Sequence, residues 1–284
     1  NMENKSNINE IIEKSGNSFH SRVVNLLRKE GWSVLVSPYY SDNFTDKPRE
    51  IDIIAEKKFD IKEIFNEWLG TLNVRFFIEC KYINSKTVFW FDNKDKTRAI
   101  ERIMKDTGME EPERNTTIQQ HHYFTDVPVA KLFSSEQSRS EDNELISKAI
   151  NQNLNATVYY RNRSDLKLVI TEKHYIERVL KRVYYPFIIV NSFDNFYSTD
   201  MGGNGETKQI TEPFQLEVNY AYIDKDRNGH NEYFLIDVVS IDKLTEFLSS
   251  IEKTDVATIK QKIALDERMT RSQNQNRGGG TSYR

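Results

Sequence analysis

Two short runs constrain this chain more than anything else in it: Glu50-Ile51-Asp52-Ile53-Ile54 and Phe76-Phe77-Ile78-Glu79-Cys80-Lys81. Both are rich in Ile and Phe and are bounded by polar or glycine-containing stretches, which is how strands read. Side chains alternate across a strand. Glu79 and Lys81 therefore share one face, with Ile78 and Cys80 on the other; Glu50 and Asp52 share a face opposite Ile51 and Ile53. If the two strands pair, two or three carboxylates and one ammonium converge at one edge of a core. Runs this apolar belong to central strands, where a charge costs free energy unless it is paired or metal-bound. Acidic oxygens at that density suit a hard cation such as Mg²⁺. A lysine beside them can stabilise a developing anion or help position a water.

Around these strands the pattern alternates between periods of 3.6 and 2. Residues 17–30 read as helix, with Phe19, Val23, Leu26 and Leu27 at three- and four-residue spacing and Gly31 as the stop. Strand Ser33–Ser37 follows, then a polar loop holding Pro38 and Pro48, then strand Glu50–Ala55. Ile61, Ile64, Phe65, Trp68 and Leu69 make an amphipathic stripe ended by Gly70, so a helix is expected at about 60–70, inserted between the two motif strands. Strand Val74–Tyr82, the aromatic run Val88–Phe91, a helix over Lys94–Asp106, a strand over Val127–Phe133, and helices over Glu144–Asn155 and Thr171–Arg182 come next. Pro186–Ser192 reads as a buried strand, Phe214–Ile223 and Tyr233–Val239 as a hairpin, and Ile241–Glu252 as a last helix. The expectation is one α/β domain over residues 1–265: three layers, a central mixed sheet flanked by helices, and a C-terminal sheet extension. From 266 to 284 the chain loses apolar periodicity and reads as a disordered tail.

The chain has 284 residues, of which 29% are charged and 37% hydrophobic. That is enough to bury a sizeable core. No apolar run approaches the length needed to cross a bilayer, and the first residues lack the apolar segment of a signal peptide. Cys80 is the single cysteine, so no intramolecular disulfide is possible, and a reducing, cytoplasmic setting is expected. Its place in an apolar strand marks it as a packed thiol. The net charge of -3 does not exclude a nucleic-acid partner, because basic residues can gather on one face while acids cluster elsewhere.

An acid on one strand followed by Glu-x-Lys on the next resembles the PD-(D/E)xK nucleases, the restriction-endonuclease-like superfamily. The upstream segment from Gly16 to Trp32 resembles the first helix of the Mrr-type and Holliday-junction-resolvase branches. The resemblance covers about the first third of the chain. It implies a restriction-endonuclease-like core and a metal-dependent nuclease acting on phosphodiester bonds, on DNA before RNA, in prokaryotic restriction, phage defence or repair. Asp52 and Glu79 would then hold Mg²⁺ or Mn²⁺, joined by the main-chain carbonyl of Cys80, with Lys81 as the catalytic cation. His20 stands where related helices carry a glutamate: it could be an alternative ligand, orient a water, or mark a weakened site. Nucleic acid is the expected partner, with a homodimer and an ATPase, helicase or other defence-system subunit as possible companions. The alternatives are a catalytically weak nuclease-like subunit and an RNA-directed enzyme.

Other motifs carry less. Glu50 could support the metal ligands or pair with Arg49 or Lys81. Glu13 could replace the missing helix acid, and Gln152 could reach the site from a later helix. Asp224-Lys225-Asp226-Arg227-Asn228-Gly229 mimics an EF-hand opening, but its twelfth position is Leu235, so a hairpin turn is expected. Met201–Gly205 lacks the Lys-Ser/Thr ending of a P-loop. His121 and His122 lack spaced partners for a structural zinc site.

Overall fold

The computed structural model describes residues 16–62, 67–107, 120–136, 141–161, 179–202, 205–224 and 226–278. Ten of its strands form one sheet. In chain order the strands are β1 (Ser33–Val36), β2 (Tyr39–Ser41), β3 (Pro48–Glu50), β4 (Ile53–Lys62), β5 (Trp68–Lys81), β6 (Thr87–Asp92), β7 (Val129–Ser135), β8 (Val179–Val190), β9 (Phe196–Asp200), β10 (Lys208–Gln209), β11 (Phe214–Ile223) and β12 (Gly229–Ser240). The large sheet runs β1-β4-β5-β8-β12-β11-β7-β6-β9-β10, while β2 and β3 pair separately. It is mixed: β5–β8, β8–β12, β7–β11 and β6–β9 are parallel, and the other pairs antiparallel. The helices are α1 (Gly16–Lys29), α2 (Lys96–Thr107), α3 (Glu141–Arg161), α4 (Leu244–Ile251) and α5 (Ala257–Gly278), with a π-helical turn at Glu252–Val256.

The alternation along β5 decides which helix covers which face. Phe76 and Ile78 point into a core with Phe19, Val23 and Leu27 of α1, Ile103 of α2, and Leu248 and Ile259 of α4 and α5. Phe77 points the opposite way, into a cluster with Tyr40, Ile54, Ala156 and Tyr160. Helix α3 thus covers one face and the other helices cover the second. Phe76 is fully buried, stacked on Trp32 at 4.1 Å and on Phe187 at 4.4 Å; a ring so placed contributes about 1.5–3 kcal/mol. Charges buried within the strands are paired: Arg75 Nε donates to Glu56 Oε2 at 2.9 Å across the β4–β5 ladder.

The expected α/β architecture with helices on both faces of a mixed sheet is present. Its details differ from the sequence reading in several places. The inserted helix at 60–70 is strand: β4 continues to Lys62 and β5 begins at Trp68, with Ile61 opposite Gly70. Ile61 and Leu69 satisfy a helical period, but they also fall on inward positions of two paired strands, and both are fully buried. Gly70, read as a helix stop, is a strand residue at φ 153° beside the register shift at Ile61/Lys62. Ile64 and Phe65 lie outside the described residues. The second change is at Val179–Arg182, read as the end of a helix, which opens β8; the rest of that reading lies outside the described residues. Third, the last helix continues through the π turn into α5, which buries Ile259 and Ile263, and on to Gly278, so residues 266–278, read as the start of a disordered tail, are helical. Finally, the loop between Pro38 and Pro48 contains the β2–β3 hairpin, and the strand expected over Glu50–Ala55 is split: Glu50 ends β3 in the small sheet and β4 begins at Ile53. Among the described residues no helix is long and apolar enough to cross a membrane.

Candidate functional site

Asp52 sits in the turn between β3 and β4, and its main chain is held from two sides. Its carbonyl accepts the Ser37 amide at 2.8 Å and lies 3.0 Å from His20 Nε2 on α1. Because a carbonyl only accepts, Nε2 carries the proton there. The Asp52 carboxylate is fixed separately: Oδ2 accepts the Cys80 amide at 2.7 Å. The β4–β5 register, Ile53 opposite Ile78, places Asp52 one step beyond the ladder, at the level of Glu79.

Glu79 is wholly buried on the α3 face of the sheet. Its Oε2 accepts Lys81 Nζ at 2.7 Å, and the same ammonium stands 3.6 Å from Asp52 Oδ2. Glu79 Oε1 is buried without a hydrogen-bond partner. A buried acceptor left unmade costs about 1–3 kcal/mol, more for a charged group, so an unmatched carboxylate oxygen calls for an explanation, which a proton on the carboxyl itself, a water or an ion would each supply. Burial, reinforced by the charge of Asp52 and opposed by Lys81, pushes the Glu79 carboxyl up to about 7. Burial works against the Lys81 charge, but Glu79 and Asp52 outweigh it and hold the ammonium above its ordinary value. The structure therefore brings Asp52, Glu79 and Lys81 together as a compact group.

Cys80 gives this group its amide; burial, then the Asp52 and Glu79 charges, push its thiol well up, away from a nucleophile's range. Glu50 turns aside. It pairs with Tyr39 in the β2–β3 ladder and its carboxylate takes the Tyr39 hydroxyl. Gln152 reaches only the Glu50 carbonyl, at 3.4 Å. Its neighbour Asn153, which the sequence reading passed over, is the buried one: Nδ2 donates to the Phe77 and Phe187 carbonyls at 2.7 Å each, next to Pro186, which brings no N–H to the β5–β8 ladder. Glu13 lies outside the described residues.

A second polar cluster lies on the opposite face. His122 Nδ1 bonds Asp255 Oδ2, and Nε2 stands 3.1 Å from Asp237 Oδ2. His121 Nε2 is 3.0 Å from the Tyr185 hydroxyl and 3.3 Å from Asp255 Oδ2. His121, His122 and Asp255 each bring a ligand atom to within 4.8 Å of the others, spacing that could hold a metal ion. The hydrogen positions favour protons instead. His121 Nδ1 accepts the Tyr123 amide at 3.1 Å, which leaves the proton on Nε2 and no lone pair there for a metal. Adjacent histidines were the only sequence signal; Asp237 and Asp255 join them from more than a hundred residues away.

Compared with protein-family models, curated proteins and solved structures, the chain finds no match.

The place of His20 yields a prediction. His20→Ala loses one bond to the Asp52 main chain, worth about 1 kcal/mol, so any activity should fall roughly fivefold. His20→Gln can still donate and should retain more. His20→Glu sets a carboxylate against a carbonyl and should be the worst of the three. Metal-titrated rates for the three variants check this; a gain in His20→Glu would make residue 20 a ligand position.

Proposed function

We propose that this chain is a metal-dependent nuclease that hydrolyses phosphodiester bonds, DNA before RNA. The observation that carries the reading is the buried, unpartnered Glu79 Oε1 beside the Asp52 carboxylate and the Lys81 ammonium. The resemblance to PD-(D/E)xK nucleases supports it, since the same three residues carry that motif. The donor set fits a hard divalent ion: two carboxylates, one held rigid by a main-chain amide, suit Mg²⁺ or Mn²⁺. Asp52 and Glu79 would hold the ion, which when bound supplies charge neutralisation at the phosphate and a water of lowered pKa.

The protein's own groups have separate tasks. Cys80 N–H and the two bonds to the Asp52 carbonyl fix the direction of that carboxylate, which keeps reorganisation out of the reaction. Lys81 lies against both acids and offers its charge to the phosphate oxygen on which negative charge develops. Helix α3 and the wholly buried Glu79 side chain shut water out of the α3 side of the site. The reading of a catalytically weak subunit draws on one observation, that α1 presents His20 to the Asp52 main chain and no carboxylate to the site.

EDTA should stop cleavage of plasmid, linear DNA and RNA substrates, and Mg²⁺ or Mn²⁺ should restore it. Calorimetry with Mn²⁺ separates the two readings, because a weak subunit should bind the ion poorly. Equal cleavage in EDTA would remove the metal from the mechanism.

A further inference from the structure

The β2–β3 hairpin ends two residues before Asp52 and shares the α3 face with Glu79. It is built more rigidly than a surface connection needs. Asp42 Oδ1 accepts the amides of Phe44 and Thr45 at 3.0 and 2.8 Å, and its Oδ2 accepts Arg49 Nε at 3.2 Å and Asn155 Nδ2 at 3.0 Å. Asn43 adds three bonds to Asn155 of α3, at 2.8–3.1 Å. Tyr160 donates its hydroxyl to the Tyr39 carbonyl at 3.1 Å, and the buried Tyr40 donates to the Gln152 carbonyl at 3.0 Å.

This pinned hairpin holds two aromatic rings out in solvent: Tyr39 is 68% exposed and Phe44 65%. A third, Tyr82 at 57%, directly follows Lys81 and rests edge-on against Phe19 of α1. Single exposed apolar residues need no explanation. Two such rings on a loop with its backbone locked just before Asp52, with a third next to Lys81 on the α1 side of the sheet, do. On the same hairpin Lys47 is an exposed cation, while Arg49 is taken by Asp42. At roughly 3.3 Å per residue along the hairpin, its tip stands on the order of 15 Å from Asp52. A strand whose phosphate lies at Asp52 can span that distance in a few nucleotides.

We propose that Tyr39, Phe44 and Tyr82 form a stacking platform for unpaired nucleobases, so that the substrate of the Asp52–Glu79–Lys81 site is a nucleic acid with a single-stranded stretch. The proposal rests on the nuclease reading. Its chemistry is that of sequence-tolerant single-strand binding: every base has a π-face for a ring to cover, and basic side chains follow the backbone. In a continuous duplex those faces are already stacked on one another, and the rings have nothing to take. Pre-setting the hairpin lowers the ordering cost of binding.

The test uses the full chain in EDTA, so that binding is read without cleavage. The probes are a 2-aminopurine-labelled single-stranded oligonucleotide and the blunt duplex of the same sequence. Fluorescence anisotropy should show the single strand bound at least about tenfold tighter, with the 2-aminopurine emission quenched by stacking. Phe44→Ala, Tyr39→Ala and Tyr82→Ala should each weaken single-strand binding by roughly 5- to 100-fold, while Phe44→Trp should keep both affinity and quenching. Since these rings are exposed, the alanine variants should melt like the parent. Equal affinity for both forms, no binding to either, or alanine variants that bind as the parent does would each overturn the platform; in the last case exposed rings that serve a protein partner are the reading that remains. Cleavage with Mn²⁺ is measured separately. Duplex and single strand cut equally by parent and Phe44→Ala would overturn the platform and leave the nuclease standing. Ring-dependent single-strand binding without any cleavage would keep the platform and overturn the nuclease.

Discussion

Asp52→Asn, Glu79→Gln and Lys81→Met are each expected to lower phosphodiester cleavage at least about a hundredfold while the chain stays folded. Asn at 52 keeps an oxygen for the Cys80 amide but removes the charge that attracts both Lys81 and a cation. Gln at 79 is isosteric, so the packing beneath α3 survives; what goes is the carboxylate whose Oε1 has no partner. This variant keeps an acceptor for Lys81 but breaks the ion pair and sets two unmatched N–H groups where Oε1 stands, so it should melt somewhat below the parent while staying folded. Met at 81 keeps the length of the stem and deletes the only cation within 4 Å of Asp52 or Glu79 among the described residues. Rates on a plasmid substrate with Mn²⁺, with thermal melts alongside, check all three. Near-parental turnover in any of them would remove that residue from the site.

The parts of this site that were legible in the sequence are the local ones. The spacing of Glu79 and Lys81 is fixed by period-2 alternation within β5, and Asp52 stands one step before β4, so their convergence needed only the pairing of β4 with β5. The same locality misled the reading at 60–70. Ile61 and Leu69 are eight residues apart, which a helix places on one stripe and a hairpin places on facing inward positions. Propensity could not choose; the pairing of Ile61 with Gly70 across a long ladder did. Distance along the chain hid the rest. Asn43 and Asn155 meet across 112 residues, and His122 meets Asp237 and Asp255 across 115 and 133. No window of sequence contains such a group, and single polar residues in it look like solvated surface. His20 lies between these cases. Its helix was plain, but that it would bond the Asp52 carbonyl and not the carboxylate depends on how α1 docks against the end of the sheet.

Asp255→Ala should be the most destabilising single change in the polar network, at about 3–5 kcal/mol. Asp255 is wholly buried on the π turn between α4 and α5. Its Oδ1 accepts the His122 amide at 2.9 Å and Thr254 Oγ1 at 3.0 Å, and its Oδ2 accepts His122 Nδ1 and, at 3.2 Å, the Tyr185 hydroxyl. Alanine strands the His122 amide and Nδ1 and the Tyr185 hydroxyl, and leaves the His122 imidazolium with Asp237 alone; Thr254 Oγ1 keeps the Ser250 carbonyl. Asparagine offers one acceptor and turns a donor toward donors, so it should do little better. The pH dependence follows from the same group. Burial works against charge on His122, but Asp255 and Asp237 prevail and raise it to about 10, while burial lowers His121 to about 4. The His122 contribution is complete below the unfolded pKa of about 6.5 and is lost as pH rises toward 10. His121 acts oppositely: between about 6.5 and 4 the unfolded chain takes up a proton that the folded chain refuses, so stability falls as pH falls. Asp255 is held below the carboxylate range by His121 and His122 despite its burial, and adds a further loss once pH drops under about 4. Within this network the three slopes meet in a maximum near pH 6.5; Glu79, raised to about 7, loses its own contribution as pH rises through that range and offsets the His121 slope in the whole chain, so the network is read as the difference between the parent and Asp255→Ala. Urea unfolding from pH 4 to 10 should show that maximum in the stability difference between the parent and Asp255→Ala, where the Glu79 slope cancels, and His122→Ala made in the Asp255→Ala background should add little, because the coupling is already gone. An Asp255→Ala variant within about 1 kcal/mol of the parent at pH 6.5 would mean that the network does not anchor the turn between α4 and α5.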